Sequence, residues 1–356
     1  MADQILDNDS EQELKERVDQ AVARGSALRI EAGGSKSFYG CPVDAEALEV
    51  AAHSGIIDYD PAELVITLRA GCKLAEVESL LARNNQMLGF EPPHFSNKAT
   101  IGGTVATGLT GPRRAFTGAV RDFILGVKIL NGRGEILNFG GRVIKNVAGF
   151  DVSRLMAGAQ GTLGVLLELS LRVLPSLETE LTLAREHASA QDHIRWVNEL
   201  SAKPLPLSAS MWYQGQSFIR LSGSQQGVAS AVKKIGGEQV ADLWTEMREQ
   251  THEFFASPDK LFRVSVPQTC EDIFRDHPQL IEWGGAQRWL SGEFDLDELR
   301  QSVESNQGSV CAYRGVDPES LFFHPLNASI LTLHQNLKSS FDPAGILNPG
   351  RLYREF

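Results

Sequence analysis

The sequence predicts an α+β protein in two parts: a two-lobed N-terminal domain over residues 1–175 and a small α+β cap domain over residues 176–325. Three observations predict it. Short apolar strands alternate with helical spacing through the first lobe. Three glycine-rich loops interrupt residues 29–165. The glycine motifs then stop at Pro175, where a mixture of helices and strands takes over.

The elements follow in order. Ser10 and Glu13 have the spacing of a capping box, after which Leu14, Val18 and Val22 share one helical face and Gly25 suits the stop. Leu28-Arg29-Ile30 reads as a short strand that delivers the chain into Gly33-Gly34. Leu64 to Leu68 is a second strand, and Leu74, Val77, Leu80 and Leu81 recur at helical spacing before Arg83. These elements make the first lobe, to about residue 88. In the second lobe Phe123 to Leu130 is a strand, Asn131-Gly132-Arg133-Gly134 a hairpin turn, and Glu135 to Phe139 the return. Gly164 to Leu174 is a long apolar strand. Beyond Pro175 the predicted strands are Leu207 to Trp212, Ser217 to Leu221 and Leu261 to Val266, with a helix from Val228 to Gly236.

Composition excludes several functions. A chain of 356 residues can bury a full core in each of two domains. A net charge of −11 argues against a nucleic-acid surface, which needs clustered Lys and Arg. Cys41, Cys72, Cys270 and Cys311 form no C-x-x-C pair, so no metal site is predicted and reduced cytosolic thiols are expected. Met1 to Gln4 is acidic and is followed by no apolar signal core, and no apolar run reaches bilayer length. A cytoplasmic chain is expected, with any membrane association made through partners.

The glycine loops carry the chemistry. They are Arg29 to Ser37, Ala99 to Arg114, and the pair Asn146–Leu155 and Gly158–Val165. Glycine lets bare main chain approach a ligand, and successive N–H groups in such turns form anion-binding concavities. The same loops could equally be tight structural turns. A nicotinamide-type G-x-G-x-x-G is absent, since Gly158, Gly161 and Gly164 have a different spacing. No Gly-Lys pair exists for a P-loop, and no H-E-x-x-H occurs.

In this order and spacing the loops resemble the FAD-binding domain of the vanillyl-alcohol oxidase / p-cresol methylhydroxylase (PCMH-type) superfamily. The resemblance covers roughly residues 1–175 and resumes at Phe341 to Arg351, which implies that residues 326–356 return to the FAD domain. It implies FAD as cofactor and a set of cofactor-binding residues. Ala32, Gly33, Gly34 and Ser35 correspond to the pyrophosphate loop, with Ala32 where the family commonly has glycine, and Lys36 adds charge unless it is a solvated surface lysine. Pro93 and His94 stand where the family lines the flavin. Thr100, Gly102, Gly103, Thr104, Thr107 and Gly108 belong to the central loop, with Thr104 and Thr107 on one face of an extended segment. Gly161, Thr162, Gly164 and Val165 form the closing segment, and Asn348 lies in the C-terminal return. Arg113-Arg114 could offset diphosphate charge or meet a partner.

Pro92-Pro93-His94, Gly111 to Arg114 and Asn146 to Asp151 narrow the resemblance to the FAD-binding subunits of bacterial glycolate oxidase complexes. That family implies two partners, a larger catalytic flavin subunit and an iron–sulfur subunit, and a small 2-hydroxy acid as substrate. The His-x-Gly-Asp-Gly-Asn-x-His pattern of catalytic relatives is missing, and His324-Pro325 stands alone. Arg220, Arg263, Arg288 and His252 could bind a carboxylate, but no spacing brings them together, so the catalytic residues stay unassigned. Two other readings remain open: a self-contained FAD-dependent hydroxy-acid or alcohol dehydrogenase, and a non-catalytic assembly subunit with structural FAD.

Overall fold

The computed structural model describes residues 7–141, 151–256, 260–317 and 321–356. The chain divides into two compact units, one of residues 1–109, 119–176 and 325–356, the other of 110–118 and 177–324.

In the first unit a five-stranded antiparallel sheet has Val165–Arg172 at its centre, between Val65–Arg69 and Ile124–Leu130, with Ile56–Asp60 and Ile136–Gly140 at the edges. The central strand serves two cores because a register irregularity opposite Lys128 and Ile129 swaps its faces partway along. Leu169 and Leu171 pack with the Leu74–Arg83 helix and with Ile101 and Val105. Val165 and Leu167 pack with Leu14 and Val18 of the Glu11–Arg24 helix and with Ile346 and Leu347. Leu28–Glu31 pairs in parallel with Glu46–Glu49, and Leu28 bridges Leu347 on its other side.

The second unit is an eight-stranded antiparallel sheet. Its order runs from Glu238–Val240 through Thr179–Glu186, Gln216–Gly223, Leu207–Tyr213, Gln279–Glu282, Gln287–Ser291 and Leu261–Ser265 to Ser309–Arg314. The helices Ala190–Ser201, Gln225–Ile235 and Leu296–Ser305 bury their apolar stripes in this unit. Among the described residues no helix is long and apolar enough to cross a membrane.

The α+β class and most elements match the sequence reading, with local differences. The Ser10 side chain makes no capping bond; its N–H instead donates to His53 Nδ1 at 3.1 Å. Val22 is exposed, and Ala21 takes its place against the core. Phe123 ends a 3-10 turn rather than starting the strand. The Gly164–Leu174 run breaks into Val165–Arg172 and a short Leu174–Pro175 strand that pairs with Gln86–Met87. The largest difference is at Ile101–Thr107, which is a helix, not extended chain. Thr100 caps it by accepting the Gly103 N–H at 3.1 Å, which outweighs the poor helix propensity of Gly and Thr.

His193 makes the second unit sensitive to acid. It is fully buried, with Nδ1 2.9 Å from the Ser217 hydroxyl. Burial, aided by nearby His187, pushes its pKa down to about 3. Between that value and the unfolded value near 6.5 the unfolded chain binds a proton that the native chain refuses. Stability is therefore expected to fall as pH drops from about 6.5 toward 3, by up to about 1.4 kcal/mol per pH unit from this residue. Urea unfolding at a series of pH values should show a shallower slope for His193→Gln, and an unchanged slope would refute the assignment.

Candidate cofactor site

The Leu28–Glu31 strand ends at Ala32, and the chain turns through Gly33, Gly34 and Ser35 into a cleft of about 160 Å³ that opens to solvent. Gly34 sits at φ 66°, in the left-handed region that favours glycine. A Cβ on Gly33 would overlap the backbone carbonyl of Lys98, so the turn lies directly against the segment that leads into the Ile101–Thr107 helix. The N–H groups of Gly33, Gly34 and Ser35 have no acceptor among the described residues. Three successive unengaged donors at one wall are the structural counterpart of an anion site. Lys36 is 5% exposed, which corrects the alternative of a solvated surface lysine; its ammonium lies 3.4 Å from Ser35 Oγ and 5.8 Å from the Phe95 ring centre. Part of the cleft lining is apolar, formed by Val50, Ala70, Ala106 and Leu166.

Of the residues singled out in sequence, the cleft is lined by Ala32, Gly33, Gly34, Ser35, Lys36, Thr100, Gly102, Gly103, Thr107, Gly161, Gly164 and Asn348. Thr107 spends its hydroxyl on the Gly103 carbonyl at 2.9 Å. Asn348 spends its amide on the fold, accepting from Ile30 N at 2.8 Å and donating to the Gln160 carbonyl at 2.6 Å. The other six do not line the cleft. Pro93 is buried, and His94 shares a 2.9 Å hydrogen bond with Glu78. Thr104 faces the interior, its hydroxyl without a partner among the described residues. Gly108 ends the helix in the left-handed conformation. Thr162 donates to the Ala159 carbonyl at 2.7 Å, and Val165 is core.

Other candidates are accounted for elsewhere. Within the second unit Arg113 is buried against Glu180, and Arg114 stacks 4.5 Å from the Trp283 ring centre. Arg220 donates to Ser208 Oγ, Arg288 to the carbonyls of Cys270, Glu271 and Gly285, and Arg263 lies over the Tyr313 ring. His252 packs on Tyr213. Cys72 is buried and bonded to Gly55, and burial pushes its thiol pKa up, which leaves it unsuited to covalent chemistry. Asn146 to Phe150 lie outside the described residues; Asp151 caps the short Val152–Leu155 turn.

Sequence reasoning missed Gln160 and Arg351, which both line the cleft. Arg351 donates to the carbonyls of Ser37, Tyr39 and Cys41 and to Gln160 Oε1. The only signal was an arginine after Pro349-Gly350, in the return segment.

A glycine turn, a helix start and a second turn at Gln160–Gly164 thus converge from distant parts of the chain on one donor-rich cleft. Residues 2–140 match a family model described as an FAD binding domain. The fold also superposes on a solved alkyldihydroxyacetonephosphate synthase with TM-score 0.66 over 95% of this chain and 74% of that one, at 14% identity. These findings define the class: a protein built on an FAD binding domain.

The chain is 43% identical over 348 residues to the glycolate oxidase subunit GlcE of Escherichia coli (strain K12), covering 98% of each protein. It is 27% identical over 217 residues to the glycolate oxidase subunit GlcD of Bacillus subtilis (strain 168), covering 60% of this chain and 44% of that protein. This chain belongs to the GlcE family of glycolate oxidase subunits.

Proposed function

We propose that this chain is the FAD-binding subunit of a cytoplasmic complex that oxidises glycolate, or a similar 2-hydroxy acid, to the corresponding oxo acid and passes the electrons to an iron–sulfur partner. One observation carries the reading: the near-complete, end-to-end match to a glycolate oxidase subunit. The shorter match to GlcD, which extends well beyond the region this chain covers, supports a larger homologous flavin subunit as partner.

FAD, when bound, supplies the two-electron acceptor. The chain's own part is to bind it. The N–H groups of Gly33, Gly34 and Ser35 would donate to its anionic centre, and Lys36 and Arg351, which line the same cleft, would offset the charge. The apolar surface of Val50, Ala70, Ala106 and Leu166 would take an apolar part of the cofactor. Arg220, Arg263 and Arg288 are engaged by the protein at separate points, which supports leaving substrate oxidation to the partner flavin subunit.

The test is the visible spectrum of the purified chain under anaerobic conditions. A flavin spectrum that stays oxidised with glycolate until the partner subunits are added is the expected result. Bleaching by glycolate alone would mean a self-contained dehydrogenase. A colourless chain after flavin supplementation would overturn the FAD assignment.

A further inference from the structure

We infer that Arg351 is a positioning residue for the cofactor turn and, at the same time, a source of positive charge for the anionic part of the cofactor; the inference rests on the FAD reading above. It starts from strand pairing. Leu28 N donates to Ile346 O at 2.7 Å, and Asn348 N donates to Leu28 O at 2.9 Å. The 346–348 segment therefore flanks the strand that feeds the Gly33-Gly34 turn. The chain then continues to Arg351, beside the loop that leaves the turn.

There the guanidinium donates to Ser37 O at 2.9 Å, Tyr39 O at 2.6 Å, Cys41 O at 2.7 Å and Gln160 Oε1 at 3.0 Å. Cys41 N returns a bond to Arg351 O at 2.9 Å. Three acceptors are alternate carbonyls of the loop directly after Lys36, and the fourth belongs to the Gln160 turn. Only the planar fork of arginine, with five donors, spans such a set; a lysine has three donors at one point. One side chain thereby holds both turns of the cleft.

The charge is the second observation. Arg351 lines the cleft, and among the described residues no carboxylate comes within ion-pair distance of it. All its hydrogen-bond acceptors are neutral; the carboxylate that acts on it at longer range, Glu31, is already paired with Arg29 at 2.7 Å, so the cleft carries positive charge beside the N–H groups of Gly33, Gly34 and Ser35, which have no acceptor among the described residues. A partly buried cation without a direct ion-pair partner is eased when an anion joins it. A diphosphate is the anion that fits both features.

The experiment uses the full chain, with Arg351→Gln and Arg351→Lys. FAD Kd is read from flavin fluorescence at low and high salt, and the thermal midpoint is read without FAD. Arg351→Gln should weaken FAD binding about tenfold or more and flatten its salt dependence. Arg351→Lys should retain the salt dependence yet bind several-fold more weakly than the native chain, because an ammonium cannot span the four acceptors. If Arg351→Gln does not fold, the Arg351→Lys result alone decides. An FAD Kd within twofold of the native value, whatever happens to the midpoint, would mark Arg351 as a purely structural clamp and overturn the inference. A native chain that binds no FAD would instead overturn the reading on which it rests.

Discussion

Lys338→Met is expected to destabilise the first unit by about 3–5 kcal/mol. Lys338 is 5% exposed and Asp342 1% exposed, with the ammonium 2.7 Å from Asp342 Oδ2. The same ammonium donates to the Thr162 carbonyl at 2.8 Å and the Leu347 carbonyl at 2.6 Å. Methionine keeps most of the buried stem, so the variant isolates the charge from the packing. It leaves a buried carboxylate without its cation and two carbonyls without a donor. Asp342 would keep the N–H bonds from Ile346 and Leu347, at 3.1 and 2.7 Å, which soften the loss without replacing the cation. A fall of the melting midpoint on the order of 10 °C is expected in calorimetry. A loss under about 1 kcal/mol would mean that water reaches these groups and that the pair does not hold the Thr162 turn to the 342–347 segment.

The second large effect is expected at Gly33. In Gly33→Ala the new methyl would overlap the Lys98 carbonyl, which is backbone and cannot swing aside as a side chain could. Either the cofactor turn or the segment before the Ile101–Thr107 helix must move, and both are walls of the cleft. The expected cost is about 1–3 kcal/mol in stability, from overpacking. FAD affinity is expected to drop by about a hundredfold, equivalent to roughly 2.7 kcal/mol. Gly34→Ala is the internal comparison. Its Cβ meets nothing within 4 Å, and only φ 66° opposes it, at about 1–2 kcal/mol. Titration of both variants with FAD should rank Gly33→Ala far below Gly34→Ala. Equal affinities would show that the turn does not approach the cofactor through Gly33.

The helix at Ile101–Thr107 shows where sequence reasoning fails. Ile101-Gly102-Gly103-Thr104-Val105-Ala106-Thr107 is rich in Gly and β-branched residues, which favour extended chain in isolation. Burial of Ile101 and Val105, the Thr100 cap and the close approach to Ala70 decide the conformation instead. None of these contacts is local to the loop except the cap. The same failure explains why Thr104 faces the interior, since helical and extended periods send its side chain in different directions.

His94 and Thr162 illustrate a second limit. Both occupy plausible motif positions, and both hydrogen-bond to neighbouring protein groups rather than line the cleft. A motif reports that a loop belongs near a ligand, but not which of its atoms are left over for one. Arg351 is the converse case. Its acceptors lie more than 300 residues earlier in the chain, at Ser37, Tyr39 and Cys41, and no local pattern encodes that pairing.

The class was legible in the residues alone, because the relevant physics is local. Apolar period marked the strands and helices, glycine at turn positions marked where bare backbone must approach something, and three such turns in order marked the cofactor family. Tertiary structure alone decided which donors remain unengaged, which threonines turn inward, and which distant arginine joins the two turns of the cleft. Those outcomes depend on packing and hydrogen-bond partners that come together only when the chain has folded, since each buried polar group takes the partner that geometry offers it.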